Sequence, residues 1–185
     1  MQYANQPTFL KHFLSAFCLA LMVASCAPED QKETVSIEPP APQGIEGSWE
    51  MKSIHWITKD TTYTIKEAQP GLFIFDSKRY SIMWTPIDTL RTPFKNLSNP
   101  EEKEIIAGFK SVVFNGGTYT KNDSSIVTKA SIAKVPGFEG GQQFYQYEIL
   151  NNQLELTMYD ETYPDGSKPQ WYGKYKTKFV MERAQ

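Results

Sequence analysis

The sequence has 185 residues, with 19 Lys and Arg against 21 Asp and Glu and a formal net charge of −2. With no basic excess to displace counterions, nucleic-acid binding by phosphate neutralisation is disfavoured; 22% charged and 40% hydrophobic residues argue against a disordered chain. Aromatic residues are abundant, 11 Phe, 10 Tyr and 4 Trp, and residues of this kind either build a core or line a pocket.

Residues 1–25 carry no acidic side chain, begin with the basic pair Lys11 and His12, and contain an apolar run over 13–23. That run has the length of a signal h-region and falls short of the roughly 20 residues a membrane-spanning helix needs. Val23, Ala24, Ser25 and Cys26 then resemble a bacterial lipobox, which implies cleavage before Cys26 and acylation (palmitate-type chains) of its thiol. Each buried methylene contributes about 0.8 kcal/mol, so two or three chains give a stable anchor. Cys18 falls in the leader, which leaves no disulfide, thiolate metal site or cysteine nucleophile in the mature chain. The expected organisation is a lipoprotein signal peptide over 1–25, a lipidated Cys26 with a disordered Pro-rich linker over 26–44, and one domain over 45–185. The expected location is the outer membrane of a bacterial envelope. The acidic pair Glu29 and Asp30 is consistent with a surface-export tether or with a merely soluble linker, so the face of the membrane stays open.

From residue 45 onward, polar and apolar residues alternate with period two. Trp49, Met51, Ser53 and His55 share one face of the first strand. The run 71–75 is continuously apolar, Asp76, Ser77 and Lys78 make a turn, and Tyr80, Ile82 and Trp84 share the next face. Residues 85–99 form a loop with two prolines, an ordinary connection or a mobile lid. Asn99 and Pro100 are suited to start a helix, with Ile105, Ile106, Phe109, Val112 and Val113 as its apolar stripe, placed against one end of the sheet. Asn115, Gly116 and Gly117 read as its terminator. Further strands carry Ile126, Thr128, Ala130 and Ile132; Tyr145, Tyr147 and Ile149; Leu154, Leu156 and Met158; and Tyr175, Thr177, Phe179 and Met181. Asn151 and Asn152 suit a hairpin turn. Eight or more short strands predict an all-β fold, and because closure removes exposed edges, an antiparallel up-and-down barrel of about 8–10 strands with one short α-helix.

Gly47, Ser48 and Trp49 at the start of the first strand resemble the G-x-W signature of lipocalins. That resemblance implies a barrel-closing pair in which Arg183, late in the last strand, covers the Trp49 ring. Residues 71–75, then Arg79-Tyr80-Ser81, the helix, Gly117-Thr118-Tyr119, Val135-Pro136-Gly137-Phe138 and the hairpin from Gly141 to Leu156 are similar to the lipocalin-like domain family of bacterial and fungal proteins. The similarity covers most of 45–183; it implies a fold and no established reaction.

Catalytic and metal signatures are absent from the sequence. His55 is the one histidine beyond the leader, which excludes a His-rich zinc site, and no G-x-S-x-G, H-E-x-x-H or phosphate-binding glycine motif occurs. Asp160 and Glu161 read as part of a solvated turn. No catalytic residue, metal or cofactor is assigned. The expected cavity lining is Met51, His55, Phe73, Tyr80, Ile82, Trp84, Tyr119, Tyr145, Tyr147 and Tyr175. Interior tyrosines need hydrogen-bond partners, which favours a wet or ligand-filled cavity over a dry core. The leading expectation is a membrane-anchored barrel that binds a small apolar or amphipathic molecule. The alternatives are an enzyme of the same fold, an isomerase or hydratase using His55 or a cavity tyrosine, and an interaction module whose barrel is filled. A cavity of roughly 300 Å³ or more would favour binding or catalysis.

Overall fold

In the computed structural model, residues 44–184 are described. The expected leader, Cys26 and nearly all of the linker lie outside the described residues. The element order is β1 Gly47–Ile57, β2 Thr62–Ile65, β3 Leu72–Phe75, β4 Arg79–Trp84, α1 Glu102–Lys110, β5 Val113–Lys121, β6 Ser125–Ala133, β7 Gln142–Leu150, β8 Gln153–Thr162 and β9 Lys176–Arg183. Each strand from β3 to β9 pairs antiparallel with its successor, and β9 returns to pair with β1 from Trp49↔Arg183 to Ile57↔Lys176. The barrel is therefore closed. β2 and β3 both pair with the same edge of β1, β3 with its first residues and β2 with its last, so together they make one interrupted stave and the nine strands form an eight-stave barrel. Between them, Met51 N–H donates to Gly71 O (3.0 Å) and Ala68 N–H to Lys52 O (2.9 Å), which bridges the interruption.

The turns follow from local chemistry. Asn151 takes a φ of +57° in the β7–β8 hairpin, a region asparagine tolerates. The Asp76–Lys78 turn closes with Asp76 N–H donating to Arg79 O at 2.8 Å. One end of the barrel is sealed by Trp49, which is fully buried and donates from Nε1 to Ile45 O at 2.7 Å. The Arg183 guanidinium lies 4.2 Å from the Trp49 ring centroid and donates to Glu46 O (2.8 Å) and Gly44 O (2.9 Å). Gly47 is required beneath it. Its φ is +125°, and a Cβ there would stand 2.6 Å from Arg183 Nη1.

The helix departs from expectation in three respects. Its N-cap is Glu101 instead of Asn99, and its first turn is held by the Glu104 carboxylate accepting from Glu101 N–H (2.9 Å) and Lys95 N–H (3.0 Å). It ends at Ser111, so Val112 and Val113 are outside it, and Asn115, Gly116 and Gly117 belong to β5 instead of terminating it. The stripe of Ile105, Ile106 and Phe109 does not enter the barrel; these residues are 51%, 47% and 46% exposed. The helix is fastened by its C-terminus instead. Lys134 Nζ donates to Phe109 O (2.6 Å) and to Val112 O, and lies 4.4 Å from the Phe109 ring centroid, placing a positive charge where the helix dipole is negative. The 85–99 segment is tied to this helix: Phe94 packs on Gly108, and Arg91 Nε donates to Ser111 Oγ at 2.8 Å.

Arg183→Ala removes the ring contact and leaves the carbonyls of Gly44 and Glu46 without those donors. We predict a loss of about 2 kcal/mol in unfolding free energy by urea titration, and little recovery in Arg183→Lys, whose ammonium lacks the planar fork. A loss below about 0.5 kcal/mol for Arg183→Ala, the range of ordinary surface changes, would contradict a closing role.

Candidate functional site

Closed eight-stranded barrels have an interior just wide enough for side chains to fill. Toward the sealed end this one is full. Trp49, Phe73, Phe75, Leu154, Leu156, Phe179 and Met181 are buried, with the Phe73 and Phe179 rings 5.0 Å apart and those of Phe75 and Tyr119 5.4 Å apart. Met51 and Phe73, expected to line a cavity, are packed into this core. Tyr119 and Tyr147 are spent on loops at the sealed end: Tyr119 Oη donates to Asp76 O (2.7 Å) and Tyr147 Oη to Asn122 O (2.9 Å).

At the opposite end the barrel opens. A chamber of about 180 Å³ lies among Trp56, Trp84, Trp171 and Tyr175, with Ile82, Tyr145, Met158 and Phe179 also lining it. Trp171 comes from the long β8–β9 connection and stacks on Tyr175, with centroids 5.6 Å apart and planes at 27°. A second hollow of about 570 Å³ adjoins it, walled by the 134–138 segment after β6 and by Tyr163, Pro164 and Asp165 after β8. Val113, Asn115, Gln143 and Glu161 line both spaces. The chamber alone falls below the 300 Å³ guide; the hollow beside it exceeds it. A broader depression of about 910 Å³ overlies the β2–β3 interruption; the expected lining residues Met51 and Trp84 contribute to it, beside the charged Glu50, Lys52, Lys66 and Glu67.

A polar network sits where the chamber and the hollow meet. Tyr80 Oη donates to Asn115 Oδ1 (2.7 Å), Asn115 Nδ2 to Gln143 Oε1 (3.3 Å), and Tyr145 Oη to the same Gln143 oxygen (2.8 Å). Gln143 Nε2 then donates to Glu161 Oε2 (2.7 Å). Tyr80, Asn115, Gln143 and Tyr145 are buried and Glu161 is half-buried. Loss of water raises the Glu161 pKa, with a smaller push from Asp160, against the opposing hydrogen bond from Gln143. Burial pushes Tyr80 up to about 12 and Tyr145 well above its ordinary value, so both hydroxyls stay protonated and act as donors. Among the described residues no buried side-chain N or O lacks a hydrogen bond. The interior tyrosine hydroxyls are thus satisfied by protein groups, and they do not by themselves require a wet core.

His55 is outside the barrel. One extra residue, Lys52, is inserted in β1 between the pairs Met51↔Met181 and Ser53↔Val180. This bulge reverses the inward face, so Ile54 and Trp56 point to the core and His55 stands across from Thr64 and Lys178. Its Nδ1 bonds Thr64 Oγ1 (2.9 Å) and its Nε2 bonds Ser53 Oγ (3.0 Å). Partial burial and the Lys178 charge lower its pKa. It has no access to the chamber, which removes the acid–base role considered for it.

Of the expected lining residues, the structure brings Ile82, Trp84, Tyr145 and Tyr175 to the chamber, and Tyr80 to the network beneath it. Sequence reasoning missed Trp56, Asn115, Gln143, Glu161 and Trp171. Glu161 is the instructive case. It lies in β8 opposite Gln143 instead of in a solvated turn, and an extra residue at Tyr159 turns it inward. The available signal was a Gln143 and an Asn115 in otherwise apolar or small-residue strand faces. Among the described residues no cluster of His, Cys, Asp or Glu converges as for a metal, and no helix is long and apolar enough to cross a membrane.

A family model described as a lipocalin-like domain matches residues 46–176. No curated protein matches the chain.

A carboxyl group whose pKa is raised in the fold stabilises it below the ordinary carboxyl pKa, and that contribution is lost as pH rises through the raised value. Glu161→Gln keeps the shape and an acceptor for Gln143 but cannot ionise. The stability of the variant relative to the parent should therefore increase as pH rises from the ordinary carboxyl range through the raised value, read in paired thermal melts. A difference that stays flat or moves the other way would contradict the buried carboxyl described here.

Proposed function

The chain belongs to the lipocalin-like domain family, and from that premise we propose that it is a membrane-anchored lipoprotein that binds a small apolar or amphipathic molecule at the open end of its barrel. The observation that carries the binding reading is the contrast between the two ends. A barrel that is filled with side chains below, yet walled by three tryptophans around a chamber above, has space where a packed core would have none. The apolar walls supply affinity, and the Asn115–Gln143–Glu161 network supplies fixed polar groups that orient a ligand. The lipobox-like run ending at Cys26 supports the anchor, and the prolines at positions 39, 40 and 42 would hold the domain away from the lipid surface.

A second reading rests on one observation. Leu90, Leu97, Ile105, Ile106 and Phe109 expose apolar surface on the helix and the segment before it, which suits a protein partner. Ligand binding is the stronger reading because the chamber is built by residues from six strands and one loop, whereas the helix contributes no buried side chain.

Native mass spectrometry of the full-length protein purified from its producing cells is expected to show a co-purified small molecule, lost in a Trp84→Ala variant that still folds. Consistent absence of added mass, with capture of a protein partner instead, would favour the second reading. Separately, Cys26→Ala should move the protein from the membrane fraction to the soluble fraction; retention in the membrane would refute the anchor.

A further inference from the structure

The chamber has one ionisable group with an unusual setting. Glu161 is half-buried, and Gln143 Nε2 is the hydrogen-bond donor that the structure gives its carboxylate. No Lys or Arg pairs with it among the ion pairs of the described residues; neighbouring Asp160 takes Lys168 at 2.7 Å. The cation nearest in the adjoining hollow is Lys134, whose ammonium is already committed to the carbonyls of Phe109 and Val112 and to the Phe109 ring. The rim beyond carries a further carboxylate, Asp165, bonded to Ser167. Protein carboxylates removed from water are ordinarily paired with a cation. The chamber that Glu161 helps to line is otherwise walled by aromatic side chains, Trp84, Trp171, Tyr145 and Tyr175 among them, and the face of such a ring carries partial negative charge that attracts cations.

We propose that the ligand of this site is a small protonated amine with an aromatic or short aliphatic body, its ammonium bound by Glu161 and the surrounding rings and its body held in the chamber. Size supports this. A cavity of roughly 150 Å³ accommodates a benzene ring, so the chamber of about 180 Å³ is large enough for one ring or a short chain. Sign supports it as well. Neither lysine nor arginine lines the chamber, so a carboxylate ligand would meet Glu161 with no compensating charge. Burial holds the Glu161 pKa up in the empty site, and an ammonium beside it would favour the ionised form, so ligand and carboxylate stabilise one another.

This inference rests on the binding reading above, and a matched series separates the two. Phenethylamine, phenethyl alcohol and phenylacetate share a ring and differ in charge. Isothermal titration of the purified full-length protein at neutral pH is expected to give binding in the order amine, alcohol, carboxylate, with the amine at least roughly tenfold tighter than the alcohol. In Glu161→Gln the amine should lose at least roughly tenfold more affinity than the alcohol, so that its advantage over the alcohol disappears; a merely structural role for Glu161 would weaken all three by the same factor and keep the order. The wild-type order is independent of how well the variant folds. Equal or tighter binding of the alcohol or the carboxylate would overturn the amine proposal and leave the binding site standing. Failure of all three to bind would overturn the amine proposal and count against the chamber as a binding site.

Discussion

The pairing of β9 with β1 is the constraint on which the rest of the structure depends. Once those two strands are joined from Trp49↔Arg183 to Ile57↔Lys176, every alternate side chain on eight staves is committed to an interior of fixed width. Arg183 secures that closure from one end by spanning the Trp49 ring and the carbonyls of the entering chain. Its contacts have long sequence separation, so they form only when the last strand has come home. The interior that results has two regimes. Near the Arg183–Trp49 seal, large apolar groups are buried against one another. Toward the far end the strands project asparagine, glutamine and glutamate inward, and the packing stops.

That change of regime explains the polar network. An inward amide in a dry barrel is costly unless each donor and acceptor is used. Asn115 and Gln143 face one another through the β5–β6–β7 region, and the tyrosines at 80 and 145 donate into them. The network is thereby satisfied on its protein side, and it ends at Glu161, where the aromatic chamber and the outer hollow meet. Local backbone geometry permits the arrangement. Gly117 allows β5 and β6 to approach so closely that a Cβ there would lie 2.1 Å from Lys129 O. The strands around the network can therefore depart from regular pairing without losing the sheet.

Three bulges decide which side chains reach the interior. They fall between Met51 and Ser53, between Gly116 and Gly117, and between Phe144 and Tyr145 as their partners are counted. Before each bulge the alternation read from the sequence assigns faces correctly: Trp49 and Met51, Ile126 and Thr128, Leu154 and Leu156 all point inward. After it the assignment reverses. Unbroken alternation along β1 puts His55 inside, and the inserted Lys52 turns it out. The polar residues at the end of β8 suit a turn, yet the strand continues, and the inserted Tyr159 turns Glu161 in.

Much of the architecture was therefore legible in the residues alone. Period-two alternation, the turn residues at 76–78 and 151–152, and the Trp49 and Arg183 pair at the two ends of the domain pointed to a closed antiparallel barrel with one helix, because these signals are local or sit at recognisable positions. The binding end was not legible to the same degree. Ile82, Trp84, Tyr145 and Tyr175 could be named from alternation; Trp56, Asn115, Gln143, Glu161 and Trp171 could not. Their convergence depends on bulge positions and on a long loop folding back, both settled by hydrogen bonds between strands distant in sequence. The sequence by itself determined an all-β domain whose strands each carry one apolar face, since alternation is a property of each strand. Only the tertiary structure decided where the barrel is full and where it is open, since bulge placement and cross-strand register are properties of pairs of strands.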